Sequence, residues 1–226
     1  MIRSTLSKLR SQLNAVASRR GIEKEIDRVS PYTFCSREKL RSLIARCDYL
    51  NWHHVPGDFV ECGTCRGGSA AILSRRLPEN RKLWLYDSFE GMPESSDKDG
   101  AEARKFVGEG KANVEEVRQL VESSGTPENR LIIRRGLFHD TFKQPLAEEV
   151  ALLHCDADWY ESVMLVLETF YPHVSVGGII ILDDFGYWEG CREAFYDYCN
   201  RHDIKPLVER VSTDQLFWYK DKQSNR

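Results

Sequence analysis

Short apolar runs alternate with amphipathic segments along most of the chain, a pattern typical of an α/β protein. Apolar runs of about four to eight residues bounded by turn signals indicate buried strands of a parallel sheet. The predicted strands occupy 58–62, 82–86, 130–135, 152–155, 179–182, 204–210 and 215–219. Helices are predicted over 36–50, 70–77, 114–123, 159–171 and 189–201. The pattern therefore predicts one α/β fold with a seven-stranded, mostly parallel sheet, helices on both faces and an antiparallel last strand.

The two central apolar runs both end in acidic residues. Asp156 and Asp158 follow the run that begins at Leu152, and Asp183 and Asp184 follow the run over 179–182. A helical stretch separates the runs, so they form a β-α-β unit whose carboxyl ends meet at one edge of the sheet. Carboxylates packed together repel one another unless some stay protonated or a hard cation such as Mg²⁺ joins them. The alternative is that these acids only cap helices or face water.

A glycine-rich bend follows the first predicted strand. Residues from Glu61 to Ser69 read E-C-G-T-C-R-G-G-S. Glycines permit positive φ and close backbone approach, and the N-terminus of the following helix offers unpaired N–H groups. The spacing Gly63-x-x-x-Gly67 differs from the G-x-G-x-x-G motif of dinucleotide-binding proteins. It is closer to the acid-x-Gly-x-x-x-Gly motif of proteins that bind S-adenosylmethionine (SAM). It therefore disfavours a nicotinamide-dependent oxidoreductase.

Two further strand tips carry candidate ligand-binding residues. Asp87 ends the second predicted strand about twenty residues past the glycines, where an acid accepts hydrogen bonds from ribose hydroxyls; the alternative is a turn cap. Phe138, after the third strand, is placed to pack against a purine or to serve as a core aromatic. The polar stretch from Ser88 to Gly110 is long enough to indicate a functional lid or a disordered loop.

Composition and charge narrow the class of protein. The chain has 226 residues, 41% of them hydrophobic, which suits one large core. A net charge of −3 gives no basic field for nucleic acid, and no apolar stretch reaches the length of a membrane span. Seven cysteines, an odd number, do not suggest a secreted disulfide framework. We therefore expect a cytoplasmic protein.

The N-terminal segment differs in charge from the rest. Residues 1–22 contain five basic residues and no acid, and Leu6, Leu9, Leu13 and Val16 recur at helical spacing. An amphipathic helix packed on the body or on a second subunit fits this pattern, as do a targeting peptide and a mobile tail. We divide the chain into a helical lid or partner segment, 1–50, and a catalytic domain, 51–226. A homodimer is compatible with this division.

Four motifs together resemble one enzyme family. They are Val60-Glu61-Cys62-Gly63, DSFEGMP from Asp87, DADWYES from Asp156, and DDFG from Asp183. In this order they resemble the macrocin O-methyltransferase family, whose members methylate sugar hydroxyls on natural products. The resemblance covers about 32–203. It implies a Rossmann-like class I methyltransferase fold, SAM as methyl donor and a divalent cation, usually Mg²⁺, that holds the acceptor.

The resemblance also implies roles for individual residues. Asp156, Asp183 and Asp184 would be metal ligands, and Asp158 the general base. The expected donor-site residues are Glu61, Gly63, Thr64, Gly67, Ser69, Asp87, Ser88, Phe138 and Asp156. Residues 138–140 read F-H-D, where the family usually has an aromatic residue followed by Glu and Asp. The resemblance therefore does not identify the acceptor.

The expected function is metal-dependent O-methyl transfer from SAM to a hydroxyl of a sugar or glycosylated natural product, a small-molecule acceptor. One alternative is a catechol-type O-methyltransferase, in which a divalent cation would bind a phenolic acceptor in the same way. A second is a SAM-binding protein without catalytic activity.

Overall fold

The computed structural model describes residues 19–222, which contain seven helices and seven strands. Helix α1 covers 19–29 within the described part of the chain. The other helices are α2 (Arg37–Trp52), α3 (Gly68–Arg76), α4 (Val114–Ser124), α5 (Phe138–Thr141), α6 (Tyr160–Phe170) and α7 (Glu189–Arg201). The strands are β1 (Asp58–Cys62), β2 (Leu83–Asp87), β3 (Leu131–Arg135), β4 (Val150–Cys155), β5 (Val174–Leu182), β6 (Glu209–Arg210) and β7 (Leu216–Tyr219).

The strands form one sheet in the order β3-β2-β1-β4-β5-β7-β6. Neighbours from β3 to β5 are parallel, whereas β7 runs antiparallel to both β5 and β6. This arrangement confirms the predicted seven-stranded, mostly parallel sheet. The strand order reverses direction at β1 and β4, and in open α/β sheets such a reversal opens a crevice at the carboxyl ends of the strands.

Alternate residues of each strand enter two separate apolar cores, one on each face. Leu83 and Leu85 of β2 pack with residues of α2, α3 and α4 on one face. Trp84 and Tyr86 pack on the other face with residues of α6 and α7. Because side chains of a strand point alternately to opposite faces, both cores depend on the same register, and the sheet is buried on both sides.

The sixth strand is shorter than predicted. The prediction over 204–210 is wrong for its first part, because only Glu209–Arg210 pair with β7. Ile204 instead lies just after α7, and its N–H donates to the carbonyl of Cys199 near the end of that helix. Pro206 has no N–H to donate to a ladder, and Leu207 is 90% exposed.

The N-terminal segment and the sheet share one core. The predicted boundary between 50 and 51 falls inside α2, so these two parts are continuous. Ile26 of α1 and Leu40 and Leu43 of α2 are buried in the same apolar cluster as Phe59 of β1. The predicted amphipathic helix with Leu6, Leu9, Leu13 and Val16 lies outside the described residues. Over 19–222, helices that combine the length and apolar character needed to cross a membrane are absent.

Core packing yields a stability prediction. Leu167 of α6 is fully buried, so Leu167→Ala should lower the free energy of unfolding by about 2–5 kcal/mol through lost burial and a cavity. Urea unfolding followed by circular dichroism measures this change. Leu207→Ala, at the 90% exposed position, is the matched control and should shift it by less than about 0.5 kcal/mol. Equal effects at the two positions would contradict the assigned core.

Candidate active site

A cavity of about 940 Å³ lies at the carboxyl edge of the sheet. Its walls come from the loops after β1, β2, β4 and β5, from α5, and from the segment that joins α1 to α2. Asp156, Asp158, Asp183 and Asp184 all line it. The loops after neighbouring parallel strands therefore open into one chamber, as the β-α-β pattern implies.

Most of the expected donor-site residues line the same cavity. They are Gly63, Thr64, Ser69, Asp87, Ser88, Phe138 and Asp156. Thr64 is 2% exposed, and its hydroxyl has no hydrogen-bond partner among the described residues. A buried hydroxyl normally finds a partner, so this unpaired group on the wall fits a polar ligand in the cavity.

Glu61 and Gly67 are not among the residues that line the cavity. Glu61 is fully buried inside the sheet. Gly67 is also buried, and its positive φ of 85° lets the chain turn into α3. A role of these two residues at the donor site stays a prediction.

Asp87 holds the glycine-rich loop in place. Its Oδ2 accepts hydrogen bonds from the N–H groups of Thr64 and Cys65 at 2.8 and 2.7 Å, and its Oδ1 accepts from that of Phe89 at 2.6 Å. Burial raises the pKa of Asp87, and the three N–H donors oppose that rise. Oδ2 already accepts two hydrogen bonds, but Oδ1 accepts only one from these N–H groups and keeps a second lone pair, so the residue can fix the loop and accept from a ligand at once.

The loops after β1 and β4 are in direct contact. A Cβ on Gly63 would overlap the carbonyl oxygen of Asp156, and Gly63 has a φ of 91°. The N–H of Asp156 donates to the carbonyl of Cys62 at 2.8 Å. Glycine is required at position 63 both for its positive φ and for the close approach of the two backbones.

Asp183, at the end of β5, is surrounded by donors. The Nζ of Lys39, from the first turn of α2, lies 2.6 Å from its Oδ2. Gln215 donates to its Oδ1 at 2.5 Å, and the Nε2 of His154 lies 3.4 Å from the same oxygen. Burial opposes ionisation, but His154 and Lys39 outweigh it and hold the pKa of Asp183 below its ordinary value.

His154 links Asp183 to Glu61 inside the sheet. Its Nδ1 lies 2.9 Å from Oε1 of Glu61, its register partner on β1. Burial lowers the pKa of His154, but hydrogen bonds to Asp183 and Glu61 prevail and raise it to about 9. An imidazolium donating from both nitrogens therefore compensates the two carboxylates.

The remaining three aspartates are short of positive charge. Burial and the charges of Asp183 and Asp184 raise the pKa of Asp156 well above its ordinary value. Burial and Asp183 likewise raise the pKa of Asp184 to about 6. Burial and Asp184 raise the pKa of Asp158, which accepts a hydrogen bond from Nε1 of Trp188 at 2.9 Å.

The predicted ligand trio does not form one compact set. Among the described residues, the ligand atoms within 4.8 Å of one another belong to Cys35, Asp156 and Asp183, and Asp184 falls outside this set. The Nζ of Lys39 lies 2.6 Å from Asp183 and 3.8 Å from Asp184. Burial, Asp183 and Asp156 raise the pKa of the Cys35 thiol, which disfavours it as a ligand for a hard cation.

The site nonetheless fits a hard divalent cation. Oδ2 of Asp184 is buried and has no partner among the described residues. Burial and neighbouring carboxylates raise the pKa of Asp156 and of Asp184, so the charged forms of both lack compensation. Carboxylate oxygens are the ligands that Mg²⁺ prefers, and a cation would remove both deficits.

Comparison with known proteins agrees with the geometry. A sheet of this order with a ligand cavity at its carboxyl edge defines a Rossmann-like class I methyltransferase fold. The family described as macrocin-O-methyltransferase (TylF) matches residues 3–220. The chain belongs to this family of O-methyltransferases.

Individual relatives are O-methyltransferases by name, and one of the names contains a rhamnosyl group. The 8-demethyl-8-(2,3-dimethoxy-alpha-L-rhamnosyl)-tetracenomycin-C 4'-O-methyltransferase of Streptomyces olivaceus is 34% identical over 73% of this chain and 66% of its own length. The demethyldecarbamoylnovobiocin O-methyltransferase of Streptomyces niveus is 32% identical over 84% and 76%. The solved structure of the O-methyltransferase NovP superposes with a TM-score of 0.76 at 28% identity, over 84% of this chain and 83% of that one.

The contact between the loops after β1 and β4 predicts that a methyl group added at position 63 lowers the stability of the protein. Gly63→Ala places a Cβ against the carbonyl of Asp156 at a positive φ, so it should destabilise the protein by about 3 kcal/mol or more. Thermal and urea unfolding measure this loss. Gly21→Ala is the control and should not destabilise, because no atom of the described residues lies within 4 Å of a Cβ at this position. A stable Gly63→Ala variant would contradict the close approach.

Proposed function

We propose that this protein transfers a methyl group from SAM to a hydroxyl of a sugar or glycosylated natural product, with a divalent cation, Mg²⁺, at the aspartate cluster. The observation that carries the proposal is the single cavity shared by the glycine-rich loop and the aspartates. Membership of an O-methyltransferase family supports the reaction, and the relative whose name contains a rhamnosyl group supports the class of acceptor.

The donor side is assigned to the loops after β1 and β2. The glycines of the first loop admit SAM close to the backbone, and Thr64 offers an unpaired buried hydroxyl. Asp87 accepts from the ribose hydroxyls with the free lone pair of its Oδ1, and Phe138 packs on the purine. Glu61 does not contact the donor in this proposal; it is buried in the sheet and holds His154 in place through a hydrogen bond.

Asp158 is the proposed general base. It lines the cavity, and Trp188 fixes its carboxylate through the 2.9 Å hydrogen bond. Its φ of 56° is uncommon for a residue other than glycine. Asp158 would take the proton of the acceptor hydroxyl, and SAM, when bound, would supply the methyl group and leave as S-adenosylhomocysteine.

The metal ligands are proposed to be Asp156, Asp183 and Asp184. When bound, a divalent cation supplies Lewis acidity that lowers the pKa of the acceptor hydroxyl. The chain's own contribution is to hold the acceptor in line with the donor, because the sulfonium is already reactive and orientation dominates the barrier.

Two substitutions separate binding from chemistry. Asp158→Asn should lower kcat by about 10²–10⁴-fold through loss of the base, and Asp184→Asn should abolish turnover by removing a ligand. Both should leave SAM affinity within about threefold of the wild type, because neither residue is assigned to the donor. Steady-state assays with labelled SAM and Mg²⁺, together with calorimetry of SAM binding, measure the two quantities.

Asp97→Asn is the matched control, since the Asp97 side chain is 96% exposed and pairs only with Arg104; it should behave as the wild type. Loss of SAM binding in the Asp184 variant, or full activity in the presence of a metal chelator, would contradict the assignment.

The outer wall of the cavity limits the charge of the acceptor. Glu94, Glu109 and Glu161 line it and are exposed, whereas the nearby Lys105 is paired with Glu102 at 2.6 Å. Among the described residues that line the cavity, none is an arginine, the usual partner of phosphate. We therefore propose a neutral or basic glycoside as acceptor rather than a sugar linked to a nucleoside diphosphate.

This proposal predicts discrimination by charge. A neutral glycoside should have a kcat/KM at least about tenfold above that of the same sugar linked to a nucleoside diphosphate, because the glutamates repel the phosphates. The double variant Glu94→Gln/Glu161→Gln should narrow the gap. Labelled-SAM assays with both acceptors, and with a catechol, measure it. Preference for the nucleotide-linked sugar would overturn the proposed charge class, and preference for the catechol would support a phenolic acceptor.

A further inference from the structure

Lys39 occupies a position between two proposed metal ligands. Its side chain is 9% exposed, and its Nζ is 2.6 Å from Oδ2 of Asp183 and 3.8 Å from Oδ1 of Asp184. A buried ammonium at these distances compensates part of the charge of the carboxylates. Asp184 lies outside the compact set formed by Cys35, Asp156 and Asp183 among the described residues.

We propose that Lys39 is a built-in counter-cation that competes with the divalent metal for Asp183 and Asp184, so that it sets the metal affinity of the site. The inference rests on the proposed metal site. Full use of all three aspartates requires the ammonium to withdraw from the space between the last two, because two cations cannot share the same carboxylate oxygens at contact distance.

The competition is asymmetric because Asp183 has other partners. His154 and Gln215 both contact its Oδ1, whereas Lys39 and the thiol of Cys35 are on the side of Oδ2. Withdrawal of Lys39 therefore frees Oδ2 and the neighbouring Asp184 without leaving Asp183 unpaired. Asp184 gains most, since its Oδ2 has no partner among the described residues.

Lys39 also joins the metal site to the segment over the donor loop. It follows the N-cap Ser36, whose hydroxyl accepts from the N–H of Lys39 at 3.2 Å. Just before it, Thr33 lies so close to Gly68 that a Cβ there would be 2.7 Å from that of Thr33. Phe34 stacks under Arg66 at 5.2 Å. Lys39 is thus hydrogen-bonded through its N–H to the segment 32–36, which contacts the start of α3.

The test measures metal binding without turnover. Mn²⁺, a probe of oxygen sites, is titrated into the full chain, and free Mn²⁺ is measured by electron paramagnetic resonance. We expect Lys39→Met to lower the Kd for Mn²⁺ by about 10- to 100-fold, because one unit of positive charge leaves the cluster. Lys39→Gln keeps a donor towards Asp183, provides a second variant should the first fold poorly, and should act in the same direction.

Lys105→Met is the matched control, since Lys105 lines the same cavity but pairs with Glu102; its Kd should stay within about threefold of the wild type. A Kd in both Lys39 variants equal to or above that of the wild type would overturn the competition and leave the proposed function intact. Binding in the variants but not in the wild type would support the competition while refuting a metal-dependent wild-type enzyme. Absence of binding in all of them would overturn both.

Discussion

The rest of this structure depends on one constraint. Several carboxylates are buried at one edge of the sheet, and their negative charges must be compensated. Glu61, His154 and Asp183 solve it with an imidazolium held between two acids, inside the sheet. Lys39 adds a second positive charge from α2. Breaking such a buried set by removing one member is costly, since the remaining charges lose their partners. The docking of α2 on the sheet is thereby tied to the charge state of the cavity.

Some members of this buried charged set could be predicted from the sequence, and others could not. Apolar runs and their acidic ends predicted the strand order around β4 and β5, because strand period and parallel pairing follow from local pattern. His154 carried a readable signal: a titratable residue inside an apolar run must find a partner when buried. Glu61 gave the same signal one strand away, and the two are register partners.

Lys39 gave no such signal. A lysine in the first turn of an amphipathic helix ordinarily faces water, and only the tertiary packing of α2 turns it towards Asp183. The loop from Ser88 to Gly110 was likewise beyond local pattern. It contains the 3₁₀ helices Asp97–Asp99 and Ala103–Phe106, and buried Asp99 accepts from the N–H of Tyr160 at 2.6 Å. Asp99 thereby caps α6 from a distant part of the chain, a relation that sequence spacing does not reveal.

The crowding of Gly63 against the backbone of Asp156 has a consequence for how such enzymes diversify. Because the loops after β1 and β4 touch through main-chain atoms, their separation is fixed by the spacing of two hydrogen-bonded strands, about 4.8 Å. Side-chain changes elsewhere in the cavity can alter which acceptor binds, while the distance between these two loops stays constant. Natural variation in acceptor choice should therefore accumulate in the long loop after β2 and in the N-terminal segment, with the interstrand contact left unaltered.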